Sequence, residues 1–195
     1  GMVVLVASDK MPEAEVAAVT TGLIKNYGYL EKAYPPFSRM GAKAPFWEVS
    51  WGAAKVKVDR ATGEIKILKF VTIADAGKAI NPQQCHSQEI GAMVQGIGQA
   101  FFEQTLYENG IMLNPGLINY RVPGVYDLPD ELVTILFEKG NGPGPYGVKG
   151  IGESGLLTVP SAIGNALFSA AGVRLSELPL TPEKVWRALH QGYFN

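Results

Sequence analysis

The sequence predicts an α+β fold in which antiparallel hairpins pack against helices, and three observations carry that expectation. Residues 46–59 and 64–74 alternate apolar and polar side chains around a five-residue loop, Asp59-Arg60-Ala61-Thr62-Gly63, whose late glycine suits a bulged hairpin turn. Asn81-Pro82 then reads as an N-cap followed by proline at the first helical position, opening a helix expected to run to about Tyr107 and end at Asn109-Gly110. A last pair of helices is expected over 161–171, stopped by Gly172, and over 182–190, capped by Thr181.

The remaining elements are weaker in pattern. Residues 11–28 read as a first helix, with Pro12 in its opening turn, Glu13 and Glu15 at its positive end and Gly28 at its close. Residues 33–46 form an irregular connector with Pro35-Pro36 at its centre. Short strands are expected over 117–122 and 132–137. The long helix carries Gly91, Gly96 and Gly98, each costing about 0.8–1 kcal/mol against alanine, so close approach of another backbone or of a ligand is expected there.

Composition narrows the class. The chain has 195 residues, 47% hydrophobic and 18% charged, enough for a real core and too apolar for disorder. It is read as a single domain over 1–195, with 1–45 the least defined part. Seventeen basic against 18 acidic residues leave no surplus of cations to neutralise phosphates, so no nucleic-acid partner is expected. No apolar run reaches about 18 residues, so no membrane span is expected, and 2–7 is too short for a signal-peptide core. Gly1 ahead of Met2 has the form of a residue left by tag removal. Cys85 alone can form neither an internal disulfide nor a cysteine-rich zinc or iron–sulfur site. His86 and His190 are far apart, so no protein metal site is expected, and the reducing cytoplasm is the expected compartment.

Chemistry concentrates in the tract from Gly142 to Gly155. Gly150 to Gly155 matches G-x-G-x-x-G, but the dinucleotide motif needs a strand just before it and a helix opening within it. Upstream stand Gly, Pro and Tyr, and Pro160 falls where a helix should already run, which argues against that reading. What is left is Glu153 on nearly bare backbone. It is either a partly desolvated general base or a solvated acid on a surface loop. Gln88, Gln95 and Gln99 could hydrogen-bond a pterin, nucleotide or oxo ligand, or simply form a polar helix face. Cys85 and His86 read as a buried thiol beside a helix-surface imidazole, and Asp75 as a turn or ligand residue at a strand end.

Taken together, Val58 to Glu64, Asp75-Ala76-Gly77-Lys78-Ala79-Ile80-Asn81-Pro82, Gly91 to Ala100, Leu113-Asn114-Pro115, Tyr120-Arg121-Val122-Pro123, Tyr146 to Glu153 and Leu180 to Trp186 occur in one order. This series resembles the C-terminal part of the molybdopterin-binding subunit of the xanthine dehydrogenase and aldehyde oxidase family. The resemblance covers roughly residues 46–190. It implies that Glu153 is the base beside the molybdenum in the hydroxylation of an aldehyde or N-heterocycle. Purines and aryl thioesters stay open as substrates.

It also implies that Gln88, with Gly150 and Gly152, contacts molybdopterin, in bacteria usually the cytosine dinucleotide. The family commonly has Glu just before the helical glycine, where this chain has Ile90 with Glu89 one place earlier. The implied partners are a chain carrying the rest of the cofactor domain and iron–sulfur subunits, with a flavin subunit as a further partner. Alone, the chain is expected to be about half of a site, without cofactor or activity, and able to self-associate. The alternative is a non-catalytic assembly or interaction module that keeps the fold without cofactor.

Overall fold

The structure, a computed structural model, describes residues 3–6 and 48–191. The helix expected over 11–28 and the connector over 33–46 lie outside them. Four strands form one sheet in the order β1 (Val3–Val6), β2 (Ser50–Val58), β3 (Ile65–Gly77) and β6 (Glu131–Glu138). β2 and β3 are the expected antiparallel hairpin, with Ala54 opposite Phe70 and Trp51 opposite Ile73. The outer pairings are parallel, β1 with β2 and β3 with β6.

The hairpin turn is built by Asp59. Its Oδ1 accepts from the amides of Ala61 at 2.8 Å and Thr62 at 3.2 Å, and Gly63 takes φ +78°. An aspartate can close such a turn on itself, and glycine adopts positive φ without steric penalty.

Helix α1 (Pro82–Phe101) starts where expected, with Asn81 Oδ1 accepting from Gln84 N at 3.1 Å. It stops earlier than expected. The amides of Phe102 and Glu103 both turn back to Gly98 O, and Asn109-Gly110 forms the turn of a small hairpin between β4 (Tyr107–Glu108) and β5 (Ile111–Met112). Both turn residues have positive φ, 50° and 81°, the geometry for which Asn-Gly is preferred in two-residue hairpins. The expected strand over 117–122 is absent. The amides of Asn119 and Tyr120 close locally on Gly116 O between Pro115 and Pro123, leaving no ladder to a neighbouring strand.

Helix α2 (Ser154–Ala171) begins seven residues before the expected start and runs through Pro160 to a left-handed Gly172, φ 74°. Proline removes the hydrogen bond that Leu156 O would have accepted. That carbonyl instead lies over Gly96 of α1, where a side-chain Cβ would come within 2.9 Å of it and 2.6 Å of Val159. The absent side chain at Gly96 therefore lets the two long helices meet backbone to backbone, as expected for that glycine; Gly98 is crowded by Glu103 and Pro123, while Gly91 faces open space.

One core joins sheet and helices: Ala54, Val56, Ile67 and Phe70 meet Met93, Ile97 and Ala100 of α1 and Val159, Ala162, Ile163 and Ala166 of α2. The C-terminal helix α3 (Pro182–Gln191) is capped by Thr181 as expected and buries Val185 against Leu167 and Val173. No helix among the described residues is long and apolar enough to cross a membrane.

Candidate functional site

The glycine tract after β6 is not loose. At its base Gly140 N donates to Gly77 O at 2.6 Å, and Lys149 N donates to Ala76 O at 3.0 Å, so the tract is stitched to the last residues of β3. Asp75 completes the join. Its Oδ1 accepts from Gly77 N at 2.9 Å, and its Oδ2 lies 2.6 Å from Lys149 Nζ, with both side chains almost wholly buried. Of the two roles open to Asp75 in sequence, the structure shows a turn residue and a buried anchor for this loop.

Beyond the anchor, the chain reaches Gly152 with φ +133°, a conformation that side chains rarely adopt. Gly152 rests against Gln88 near the start of α1; a Cβ there would stand 3.2 Å from Gln88 Oε1. Glu153 follows as the N-terminal flanking residue of α2, exposed, with no side-chain capping bond. An acid at a helix N-terminus is favoured by the partial positive charge of the free amides. Three of the sequence-nominated residues, Gln88, Gly152 and Glu153, are thus brought together. The desolvation considered for Glu153 is not supplied by the described residues. Gly150 is exposed on the same loop.

The other candidates disperse. Gln95 and Gln99 are exposed on α1, about 10 and 16 Å along the axis from Gln88 at 1.5 Å per residue. Cys85 is half-buried and not the fully buried thiol expected. His86 is half-buried too, and its Nδ1 hydrogen-bonds Thr134 Oγ1, tying α1 to β6. Among the described residues no group of three or more His, Cys, Asp or Glu could hold a metal ion. The expectation that Pro160 forbids a helix opening within Gly150 to Gly155 is overturned, since α2 starts at Ser154. The other half of the argument stands: β6 ends at Glu138, and no strand runs into Gly150.

Sequence reasoning missed an acidic pair directly beneath the loop. Glu89 is fully buried, and its Oε1 accepts from Ser154 Oγ at 3.0 Å. Glu48 lies alongside with Oε1 buried and unpartnered. Burial raises the pKa of both carboxyls, and each is pushed up further by neighbouring acids, Glu89 by Glu48, and Glu48 by Glu153 and Asp75. The Ser154 hydroxyl and the Gly152 amide pull both the other way. The signal for Glu89 was present in the periodicity. Residue 89 shares the helical stripe of Ala92, Met93, Gly96, Ile97 and Ala100, which forms the buried face of α1.

A separate cleft of about 650 Å³ opens near the far end of α1, lined by Phe101, Phe102, Arg121, Tyr126 and Leu180. Arg121 stacks over Phe102 at 4.5 Å and bonds Asp127. About 20 Å of helix separates this cleft from Gln88, so it is not part of the site around Glu153.

The sequence profile of the molybdopterin cofactor-binding domain matches residues 3–129. The aldehyde oxidoreductase molybdenum-binding subunit of Escherichia coli strain K12 is 35% identical over 133 residues, covering 67% of this chain and 18% of that protein. A longer match, 32% identical over 184 residues, covers 90% of this chain and 23% of the membrane-bound aldehyde dehydrogenase (pyrroloquinoline-quinone) of Gluconacetobacter polyoxogenes. Among solved structures, the aldehyde oxidoreductase of Desulfovibrio gigas superposes with a TM-score of 0.62 at 36% identity, over 70% of this chain and 15% of that one. The chain belongs to the molybdopterin cofactor-binding domain family, within the xanthine dehydrogenase and aldehyde oxidoreductase group of molybdenum enzymes. It spans less than a quarter of the length of these relatives.

Proposed function

We propose that this chain contributes Glu153 as general base, and part of the cofactor cradle, to a molybdenum hydroxylase acting on an aldehyde or N-heterocycle. The observation that carries the reading is the meeting of Gln88 with Gly152, 64 residues apart in sequence, directly beside an exposed Glu153.

The residues present fit a pterin. Gln88 offers an exposed amide that can both donate and accept, as a pterin edge requires. Gly152 leaves its Cα bare, with the Gln88 side chain lying against it. Gly150 is assigned to the same cradle. When bound, the cofactor supplies the two-electron redox chemistry. Glu153, anchored through its neighbours but free at its carboxylate, takes up the proton released as the substrate is attacked. The chain holds the cofactor and not the metal directly.

The cofactor in this reading is the cytosine dinucleotide form, whose phosphates suit glycine-rich backbone. The chain acts as a single domain in the cytoplasm with the remainder of the molybdenum subunit and with iron–sulfur and flavin partners. By itself it retains little molybdenum and turns over nothing.

The test is reconstitution with the missing part of the subunit. Glu153→Gln should keep molybdenum content while single-turnover reduction falls about 10²–10⁴-fold. Gln88→Ala should instead weaken cofactor retention by about 0.5–1.5 kcal/mol. Near wild-type reduction by Glu153→Gln with full metal would reject the assignment, and a stable metal-free homo-oligomer that ignores the partner would favour the assembly-module reading.

A further inference from the structure

We propose that Glu89, with Glu48 beside it, is a positioning residue for Glu153, clamping Ser154 and Gly155, the residues that follow that acid at the start of α2. Its bearing on chemistry rests on the reading of Glu153 as base; the clamp itself can be tested independently.

The geometry is specific. Glu153 sits between Gly152, which rests against Gln88 of α1, and Ser154, whose hydroxyl is held by the buried carboxyl of Glu89 with Glu48 alongside. Ser154 Oγ donates to Glu89 Oε1 at 3.0 Å, and Ser154 O accepts from Ser50 Oγ at 2.9 Å, so the first residue of α2 is tied to both α1 and β2. Gly155 closes the fit: a Cβ there would come within 2.8 Å of Glu89 Oε2 and 3.2 Å of Ala92. Only a residue without a side chain lets α2 settle this low on the acid.

Position 89 lies on the apolar stripe of α1, where an aliphatic side chain would pack without any polar cost. The acid found there is fully buried, and the charged group acting on it is another acid, Glu48. A core-filling role does not explain that choice. Reaching up to hold the loop does, because a buried acceptor makes the orientation of Ser154 obligatory. With Lys149 and Asp75 fixing the upstream end of the loop, Glu153 is left as the exposed residue of a segment secured on both sides.

The experiment is hydrogen exchange on the full chain, comparing peptides over residues 150–156 with β3 peptides as an internal reference. Glu89→Met keeps the volume and removes the acceptor; Glu89→Gln keeps the acceptor. The expected result is exchange about 3- to 10-fold faster over 150–156 in Glu89→Met, rescue in Glu89→Gln, and no change in β3. Unchanged exchange in Glu89→Met overturns the clamp, as does equal loosening in Met and Gln variants. If Glu89→Met fails to fold, Ser154→Ala decides: faster exchange over 150–156 supports the clamp, and none overturns it. Glu153→Gln in the same assay should leave the loop as protected as wild type, so loss of the base and loss of the clamp give separate signatures.

Discussion

Lys149 Nζ stands 2.6 Å from Asp75 Oδ2 across 74 residues of sequence, and both side chains are shut away from solvent. This pair joins the last residues of β3 to the glycine tract, and breaking it from either side removes a buried charge–charge contact. Lys149→Met and Asp75→Asn should each destabilise the chain by about 3–5 kcal/mol, far more than a surface pair such as Lys66–Asp130. Urea midpoints check this. A loss under 1 kcal/mol for Lys149→Met would mean that the loop does not depend on the anchor.

The Glu48–Glu89 pair sets a pH dependence whose sign is fixed. Both carboxyls have folded pKa values above their usual 4.5, chiefly through burial. A raised carboxyl favours folding fully below its unfolded pKa, and that contribution is lost as the pH rises through the folded value. Stability should therefore decline with pH above about 4.5 by a component that Glu89→Gln removes. The neighbours that shape this are Glu153 and Asp75, which act on Glu48, the latter with Lys149 as its partner. Glu138, held down by Lys78, works in the opposite direction and is common to both proteins. Denaturation midpoints of wild type and Glu89→Gln should diverge as the pH rises. Parallel curves would show that Glu89 does not titrate in that window.

Much of this arrangement was legible in the residues where local chemistry leaves one solution. Asp59 to Gly63 can hardly do other than turn, and Asn81-Pro82 opens a helix by capping and by a preset φ. Asn109-Gly110 has two solutions, helix end or hairpin turn, and the choice was made by where the helix had already stopped, at Gly98 O. Pro160 misled for a related reason: proline is costly within a helix in isolation, but here the carbonyl it frees, that of Leu156, lies against Gly96, 60 residues away in sequence. The site divides in the same way. Gln88 and Glu153 were nominated by their own residue types, each with a plain surface alternative, and the resemblance chose between those readings, since no local rule brings a helix glutamine to a distant loop. Glu89 was noted only as one place removed from the usual family acid, although it lay on the buried stripe of α1.

Two glycines of α1 should respond to alanine with opposite sign. At Gly96 the new Cβ would meet Val159 at 2.6 Å and the Leu156 carbonyl at 2.9 Å, and backbone cannot yield as a flexible side chain can. Overpacking of that kind costs about 1–3 kcal/mol, more than the helix propensity gained. Gly91 has nothing within 4 Å, so Gly91→Ala should stabilise by about 0.5–1 kcal/mol. Thermal or urea unfolding of the two variants checks the pair. Stabilisation at Gly96 would contradict the close crossing of α1 and α2.

The surface beyond α1 makes the last prediction. Within residues 106–126 nine large apolar side chains are exposed, among them Ile118 at 97%, Leu117 and Val125 at 79% and Ile111 at 68%. Isolated exposed apolar residues are ordinary on a protein surface, but a run of this density marks a face that meets another protein surface. We predict that a partner protein surface covers this face. Without that cover the chain should self-associate in a concentration-dependent way by light scattering. Leu117→Ser with Ile118→Ser should shift the equilibrium toward monomer while leaving the unfolding midpoint nearly unchanged, since neither side chain contributes to the core clusters. A wild-type chain that stays strictly monomeric at high concentration would show that this face is not an uncovered interface.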